Sequence, residues 1–270
     1  MIKITKDYFS LRQIGESGQC FRLTRTGENG YSLIAFGKYL EAQQRGNEII
    51  FYCSEKEYEK IWKGYFDLDA DYEAIITSVD SGDTYLRQAV SYGKGLRILR
   101  QDLWEMIVSF IISQQNNIRR IRKCIETICE RYGEARISES GVSYHAFPEP
   151  EALALASQEE LQDCNLGYRS RYIRQTAGSI VQGEVELERL HKMDYGQARA
   201  ELKRLCGVGD KVADCICLFA LHHLDAFPRD THINQVLERR YRQGFPFDRY
   251  QGCAGVMQQY LFYYDLNGEL

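Results

Sequence analysis

The sequence has no apolar run of membrane-spanning length, and its longest, near Trp104, is interrupted by Glu105. Nor does "MIKITKDYFS" contain the apolar core of a signal peptide. These two absences argue against a membrane-spanning protein and lead to the expectation of a soluble, intracellular one. No two cysteines stand at the two-residue gap of a zinc ribbon or finger. Only Cys253 follows Cys217, so a four-cysteine iron–sulfur cluster near the C-terminus is excluded as well. Neither metal nor diffusible cofactor is expected. The nine cysteines are odd in number, and Cys124, Cys129, Cys215 and Cys217 lie inside apolar helical patterns, which fits reduced, buried thiols. Positive charge is not in excess: the net charge is −4, which argues against a chain that coats nucleic acid non-specifically. Internal repeats and low-complexity segments are also missing.

What is present divides into two textures. Up to about residue 65, "CFRLT", "YSLIAF" and "EIIFYC" read as strands, separated by the turn-like "TGENG" and "RGN". After "YFDLDADYEAI" the period becomes helical, with Leu103, Ile107, Phe110 and Ile111 on one face and Ile121, Ile125 and Ile128 on another. The expectation is an α+β chain: an antiparallel β-rich domain over 1–95, then an all-helical domain over 96–270, with "GKGLRI" as the connection. Two basic segments without acids, "NNIRRIRK" and "GYRSRYIRQ", each read alone as a solvated helix face; together with a glycine hairpin they point to phosphate contact.

That hairpin is "LCGVGDKVAD", between helix-forming "YGQARAELKRL" and "KVADCICLFAL". Gly207 and Gly209 can adopt backbone angles denied to other residues, and the helix start can aim free N–H groups at a phosphate. The spacing is that of a helix-hairpin-helix; a tight turn between packed helices is the plainer reading. Lys211 falls in the first turn of the second helix, where the positive end of the dipole disfavours an ammonium. That favours a neutral, nucleophilic amine, whereas phosphate binding needs the charged form, and position alone leaves both open. Cys215 shares the face of Lys211 one turn on. Further along, in "FPRDTHINQVLERRY", Asp230 is placed to cap a helix, which keeps its carboxylate ionised and able to stabilise a developing sugar cation. Asp214 is a rival partner for Lys211, ranked lower as an intrahelical acid. His232 could meet a phosphate.

With "LCGVGDKVADCICLFAL" and "PRDTH" taken together, the chain resembles the 8-oxoguanine DNA glycosylase/lyase family of the helix-hairpin-helix superfamily. "SGQCFRL", "YFDLD", "SFIISQQNNIRRI", "LGYRSRY" and "AGVMQQYLFYYDL" resemble that family in its order, so the likeness covers nearly the whole chain. The resemblance implies an N-terminal domain like half a TATA-binding-protein fold, a helical glycosylase domain, and a monomer that excises oxidised guanine from duplex DNA. It implies Lys211 as nucleophile and Asp230 as catalytic aspartate. It further implies that the Gly18 carbonyl and Gln258 read the base and that Cys215 and Phe262 sandwich it. Tyr168 matches an aromatic wedge, while Asn116, Asn117, Arg120 and Arg169 fall in segments that contact the opposite cytosine and flanking backbone. The family's asparagine triplet appears here as "QNN"; Gln115 stands at the position that commonly fills the gap left by the extruded base, which implies weaker discrimination for cytosine. Arg229 replaces the small apolar residue of eukaryotic members. The alternatives are a helix-hairpin-helix glycosylase for another damaged base, or a non-catalytic damaged-DNA-binding module.

Overall fold

The computed structural model describes residues 1–268. Strands β1 (Ile2–Thr5), β2 (Leu23–Arg25), β3 (Gly30–Ala35), β4 (Lys38–Arg45) and β5 (Glu48–Tyr52) form one antiparallel sheet in the order β1-β5-β4-β3-β2. Alternation along the strands puts Tyr31, Leu33, Ala35, Leu40, Ala42, Ile49 and Phe51 on one buried face. That face closes over Leu11 and Ile14 of helix α1 (Leu11–Glu16) and over Trp62, Tyr65 and Phe66.

Three of these strands match the expected ones; β1 and β4 do not follow from the pattern. Two inward residues of β4, Leu40 and Ala42, are apolar, but the third, Gln44, is an amide rather than a hydrocarbon, which breaks the alternation. Its Oε1 accepts from the Leu11 N–H at 2.7 Å, and its Nε2 donates to the Phe9 carbonyl at 2.8 Å. The turn from β3 into β4 is the pair Phe36–Gly37, with φ of 50° and 66°, as a tight hairpin between right-twisted strands requires.

The helical half contains α2 (Thr84–Tyr92), α3 (Leu103–Ser113), α4 (Ile118–Tyr132), α5 (Arg169–Val181), α6 (Tyr195–Leu202), α7 (Asp210–Phe219), α8 (Thr231–Arg240) and α9 (Ala254–Asn267), besides shorter turns. Helix α3 is buried from Leu103 through Ile112, not along one stripe, because α4, α5 and α7 all pack on it. Tyr72, Tyr85, Leu86, Ala89 and Val90, all ahead of residue 95, sit in this larger core, and α2 lies against α9.

The two cores meet at residues 17–20, which are tied by buried amides. Gln19 Nε2 donates to Ser17 Oγ and to the Arg97 carbonyl, both at 2.9 Å, and its Oε1 accepts from the Leu99 N–H at 2.9 Å. Gln101 Nε2 donates to the Gln19 carbonyl at 2.8 Å, and Gln259 Nε2 to the Ser17 carbonyl at 2.7 Å. This segment, anchored from both halves, carries Gly18. No helix among the described residues is long and apolar enough to cross a membrane.

Candidate active site

The hairpin is fixed by chemistry on its flanks. Asp194 opens α6 with a capping box to Gln197. Arg199 on α6 then reaches both acids of α7, Asp214 at 2.6 Å and Asp210 at 3.0 Å, and Lys203 reaches Asp210 at 2.6 Å. Tyr195 OH adds a 2.7 Å bond to Asp214. Asp214 is therefore committed to joining α6 to α7, as its lower ranking anticipated. Gly207 has φ 81°, and a Cβ there would stand 2.7 Å from the Tyr172 ring, so glycine is required twice over. Gly209 corrects the expectation for its partner: at φ −91° and ψ −173° its backbone is extended and open to any residue. A Cβ at Gly209 would meet nothing within 4 Å, so this position leaves open space ahead of the helix start.

With the acids of α6 and α7 spoken for, Lys211 has no ion pair among the described residues. Its Nζ stands over the Phe110 ring, 5.5 Å from the centroid. Beside it Cys215 is buried; burial pushes its thiol up to about 11, the neighbouring Lys211 pulls it back, and Asp230 adds to the rise. The sulfur thus lies in the field of Lys211 and of both Asp230 and Asp214. Asp230 caps α8 as expected, with Oδ1 accepting from the Ile233 N–H at 2.8 Å. Arg229 turns along the same first turn and donates to Asn234 Oδ1 at 3.0 Å, on an exposed surface.

The facing wall comes from α9 and the tied loop. Gly18 has φ 75°, and a Cβ on it would lie 3.3 Å from Phe262 Cε1. Phe262 meets the His232 ring edge-on, with centroids 6.0 Å apart, and His232 Nδ1 is 3.0 Å from Asp265 Oδ2. One turn before Phe262, Gln258 is 4% exposed. Its Nε2 donates to the Pro228 carbonyl at 3.1 Å, whereas its Oε1 is buried without a partner among the described residues. Nothing described donates to the Gly18 carbonyl either. Lys211, Cys215, Asp230, Gly18, Gln258, Phe262 and His232 thus come from α7, α8, α9 and the junction loop. The cavity of ≈ 750 Å³ lies elsewhere, lined by Asp102, Glu105 and His222 among others, and includes neither Lys211 nor Asp230.

A second cluster flanks the hairpin. Gln115 is exposed with φ 46°, a left-handed angle that asparagine tolerates better than glutamine. Asn116 is turned onto the end of α3, donating to the Ile112 carbonyl at 3.1 Å, and Asn117 caps α4 by accepting from the Arg120 N–H at 2.9 Å. Arg120 and Tyr168 are exposed, Tyr168 at 48%. Arg169, expected among the residues that contact DNA, is turned inward here. It is 4% exposed, its Nε donates to the Gln114 carbonyl at 3.0 Å, and its Nη2 also reaches the Gln115 carbonyl at 3.2 Å. The left-handed turn presents carbonyls inward, and the guanidinium gathers them. Gln114, unremarked in the sequence, ties this turn to the hairpin through a 2.9 Å bond from Nε2 to the Gly207 carbonyl. The basic segments are thinner than their composition: Arg122 holds the Gly15 carbonyl at 2.8 Å and Lys123 pairs with Glu126 at 3.1 Å. Among the described residues no group of three histidine, cysteine or acidic side chains could hold a metal.

Comparison with known proteins bears on this arrangement. The family model "8-oxoguanine DNA glycosylase, N-terminal domain" matches residues 1–107, and "HhH-GPD superfamily base excision DNA repair protein" matches residues 108–244. An N-glycosylase/DNA lyase of Saccharomyces cerevisiae is 30% identical, over 89% of this chain and 70% of its own. The N-glycosylase/DNA lyase OGG1 of Arabidopsis thaliana is 31% identical, over 87% and 67%. Among solved structures, the Clostridium acetobutylicum 8-oxoguanine glycosylase/lyase, in complex with double-stranded DNA containing cytosine opposite 8-oxoG, superposes with TM-score 0.92 at 35% identity, covering 100% of this chain and 99% of that one. A 3-methyladenine DNA glycosylase of Archaeoglobus fulgidus has TM-score 0.79 at 22% identity, covering 100% of each chain, a likeness of fold.

Proposed function

The chain belongs to the 8-oxoguanine DNA glycosylase/lyase family of helix-hairpin-helix proteins, and on that premise we propose that Lys211 is its nucleophile and Asp230 the carboxylate that serves it. The protein is a bifunctional DNA glycosylase and lyase that removes 8-oxoguanine from duplex DNA. The observation that supports the residue assignment is that Lys211 lies beside the buried Cys215 with no carboxylate pair among the described residues, while Asp214 is taken up by Arg199 and Tyr195, leaving Asp230 at the start of α8. We place the enzyme inside the cell, with its duplex substrate.

The base must leave the helix before it can be reached. Gly207 and the start of α7 take a backbone phosphate, Arg120 adds charge, and Tyr168 and Gln115 occupy the distorted duplex. Asn117 and Asn116 shape that turn, and Arg169 holds it from within. The everted base lies between Cys215 and Phe262. 8-Oxoguanine carries a proton on a ring nitrogen where guanine has a lone pair; the Gly18 carbonyl accepts from that proton and repels the lone pair. The unpartnered Oε1 of Gln258 accepts from the pairing edge. His232, steadied by Asp265, meets a phosphate.

The neutral amine of Lys211 then attacks C1′. The glycosidic bond breaks, its electrons leave with the base, and the base takes up a proton. Asp230 stabilises the sugar cation as the bond to nitrogen forms, and relays the ammonium proton. Opening of the sugar ring gives a Schiff base, loss of a C2′ proton follows, and the 3′ phosphate departs as the leaving group. Borohydride trapping on a duplex with one 8-oxoguanine tests the assignment. The native protein gives a covalent adduct and Lys211→Gln gives none; undiminished trapping in Lys211→Gln removes the lysine from its role.

A further inference from the structure

The groups assigned to the duplex are locked to one another beneath the surface. Gln115 is exposed on the turn that follows α3, Tyr168 is exposed just ahead of α5, and Gly209 stands open ahead of α7. Behind them the Arg169 guanidinium lies over the Tyr168 ring, 4.6 Å from its centroid, and donates to the Gln114 and Gln115 carbonyls. Further along α5, Tyr172 backs Gly207, and Thr176 Oγ1 donates to the Cys206 carbonyl at 2.9 Å. Helix α5 thus holds both the gap-facing turn and the hairpin. Turn and hairpin are also joined directly, by the side chain of Gln114.

Gln114 Nε2 donates to the Ile111 carbonyl at 3.2 Å, in the last turn of α3, and to the Gly207 carbonyl at 2.9 Å. Both atoms it meets are carbonyl oxygens, so the amide must present its nitrogen, and both of its hydrogens are used. On the other side of the 207–208 peptide, the Val208 N–H donates to the Leu205 carbonyl at 3.1 Å. The orientation of that peptide is therefore set from both ends, and it leads into the turn that delivers Lys211. A base opposite the lesion that displaces Gln115 moves the backbone of its neighbour, Gln114, and with it the bond that holds Gly207. We propose that Gln114 is a positioning residue that makes the rate of excision, and not only the strength of binding, depend on the base opposite 8-oxoguanine. It reaches no substrate atom itself; it ties the turn that meets the opposite base to the hairpin that presents the nucleophile. The inference rests on the roles proposed for Gln115 and Lys211.

Duplexes with each of the four bases opposite 8-oxoguanine test this in two measurements. Single-turnover excision gives the spread of rates across the bases; affinities on a Lys211→Gln background, where no reaction intervenes, give the spread in binding. The wild type should show a spread in rate of about fivefold or more. Gln114→Ala cuts the tie, so its spread in rate should shrink to within about twofold while the spread in binding persists. Gln114→Glu sets a carboxylate against two carbonyls and should slow excision of the cytosine-opposed lesion by about tenfold or more. Gln114→Lys offers donors to the same carbonyls and should keep the wild-type spread. A Gln114→Ala protein that loses melting temperature yet keeps the full spread in rate makes Gln114 a contact of the fold alone and overturns the proposal. Equal spreads in Gln114→Ala and Gln114→Lys overturn it too, since donation to the carbonyls is what separates them, as does a wild type whose rates ignore the opposite base. Excision of the cytosine-opposed lesion by the wild type, lost in Lys211→Gln, reports on the glycosylase reading alone.

Discussion

Glu105→Gln is expected to change how stability depends on pH, by an amount that follows from where the carboxyl sits. Glu105 lies in the first turn of α3 with its side chain 8% exposed. Burial pushes its carboxyl up from 4.5 to about 7; Arg22 opposes this, and Asp102 adds to it. The arginine does not win because its Nη1 is 3.9 Å away, too far for a hydrogen bond to offset the loss of water. The folded state therefore holds a proton that the unfolded chain gives up at lower pH. Stability from this group is fully present below pH 4.5 and is lost as pH rises through about 7. A rise of that size corresponds to about 3 kcal/mol. Glutamine keeps the shape and carries no proton to lose, so the variant lacks this loss. For a chain of 270 residues, 3 kcal/mol is about 5 °C in melting temperature. Melting curves of both proteins from pH 4 to 8.5 isolate the effect in their difference, since every other group cancels. The wild type should lose about 5 °C relative to the variant across that range. A difference that stays flat with pH would show that Glu105 titrates like a solvated carboxyl, and the reasoning would be refuted.

Gly18→Ala should lower stability by about 1–2 kcal/mol, from its left-handed φ of 75°, and cut excision further by driving a methyl against Phe262 at 3.3 Å; a melt and a single-turnover assay read the two losses separately. Gln258→Leu deletes an orphaned buried oxygen together with one bond to Pro228, so its melting temperature should move little. Excision of 8-oxoguanine by that variant should nevertheless fall about tenfold or more, and an unchanged rate would take Gln258 out of base reading. Gln115→Asn places a residue that favours positive φ at φ 46°, and should raise stability by a few tenths of a kcal/mol, within about 1 kcal/mol. The same change should sharpen the preference for cytosine in a panel of four opposite bases; strict cytosine dependence already present in the wild type would contradict the weak discrimination expected from Gln115.

The parts legible in the sequence were those with one dominant periodicity or one obligatory residue type. Alternating β3 and β5 announced themselves, as did the glycine bend, the cap at Asp230 and the stripe of α4. Helix α3 looked one-sided because a stripe is the smallest pattern a helix can show, and burial from several neighbours adds no new period. Strand β4 stayed hidden because only Leu40 and the small Ala42 mark its inward face, and the inward amide Gln44 reads as surface. For Arg169, sequence offered a basic segment; whether a guanidinium faces a phosphate or gathers carbonyls is decided by the turn at Gln115, which no spacing encodes.

Buried glutamines explain why the site is built accurately from elements far apart in the chain. An amide carries two donor hydrogens and an acceptor oxygen without net charge, so it can bond two backbone strands and still be buried without the desolvation of an ion. Gln19 does this between residues 17 and 99, Gln101 and Gln259 hold the same loop from α3's approach and from α9, and Gln114 does it between the gap-facing turn and Gly207. These ties hold the backbone on either side of Gly18 and the hairpin at Gly207, and each residue reads in the sequence as a solvated polar. Gln258 differs in one respect: it is 4% exposed and its Oε1 is itself buried without a partner among the described residues. A buried acceptor left without a donor calls for a reason, and at a wall beside Phe262 the reason proposed here is an oxygen held out for substrate.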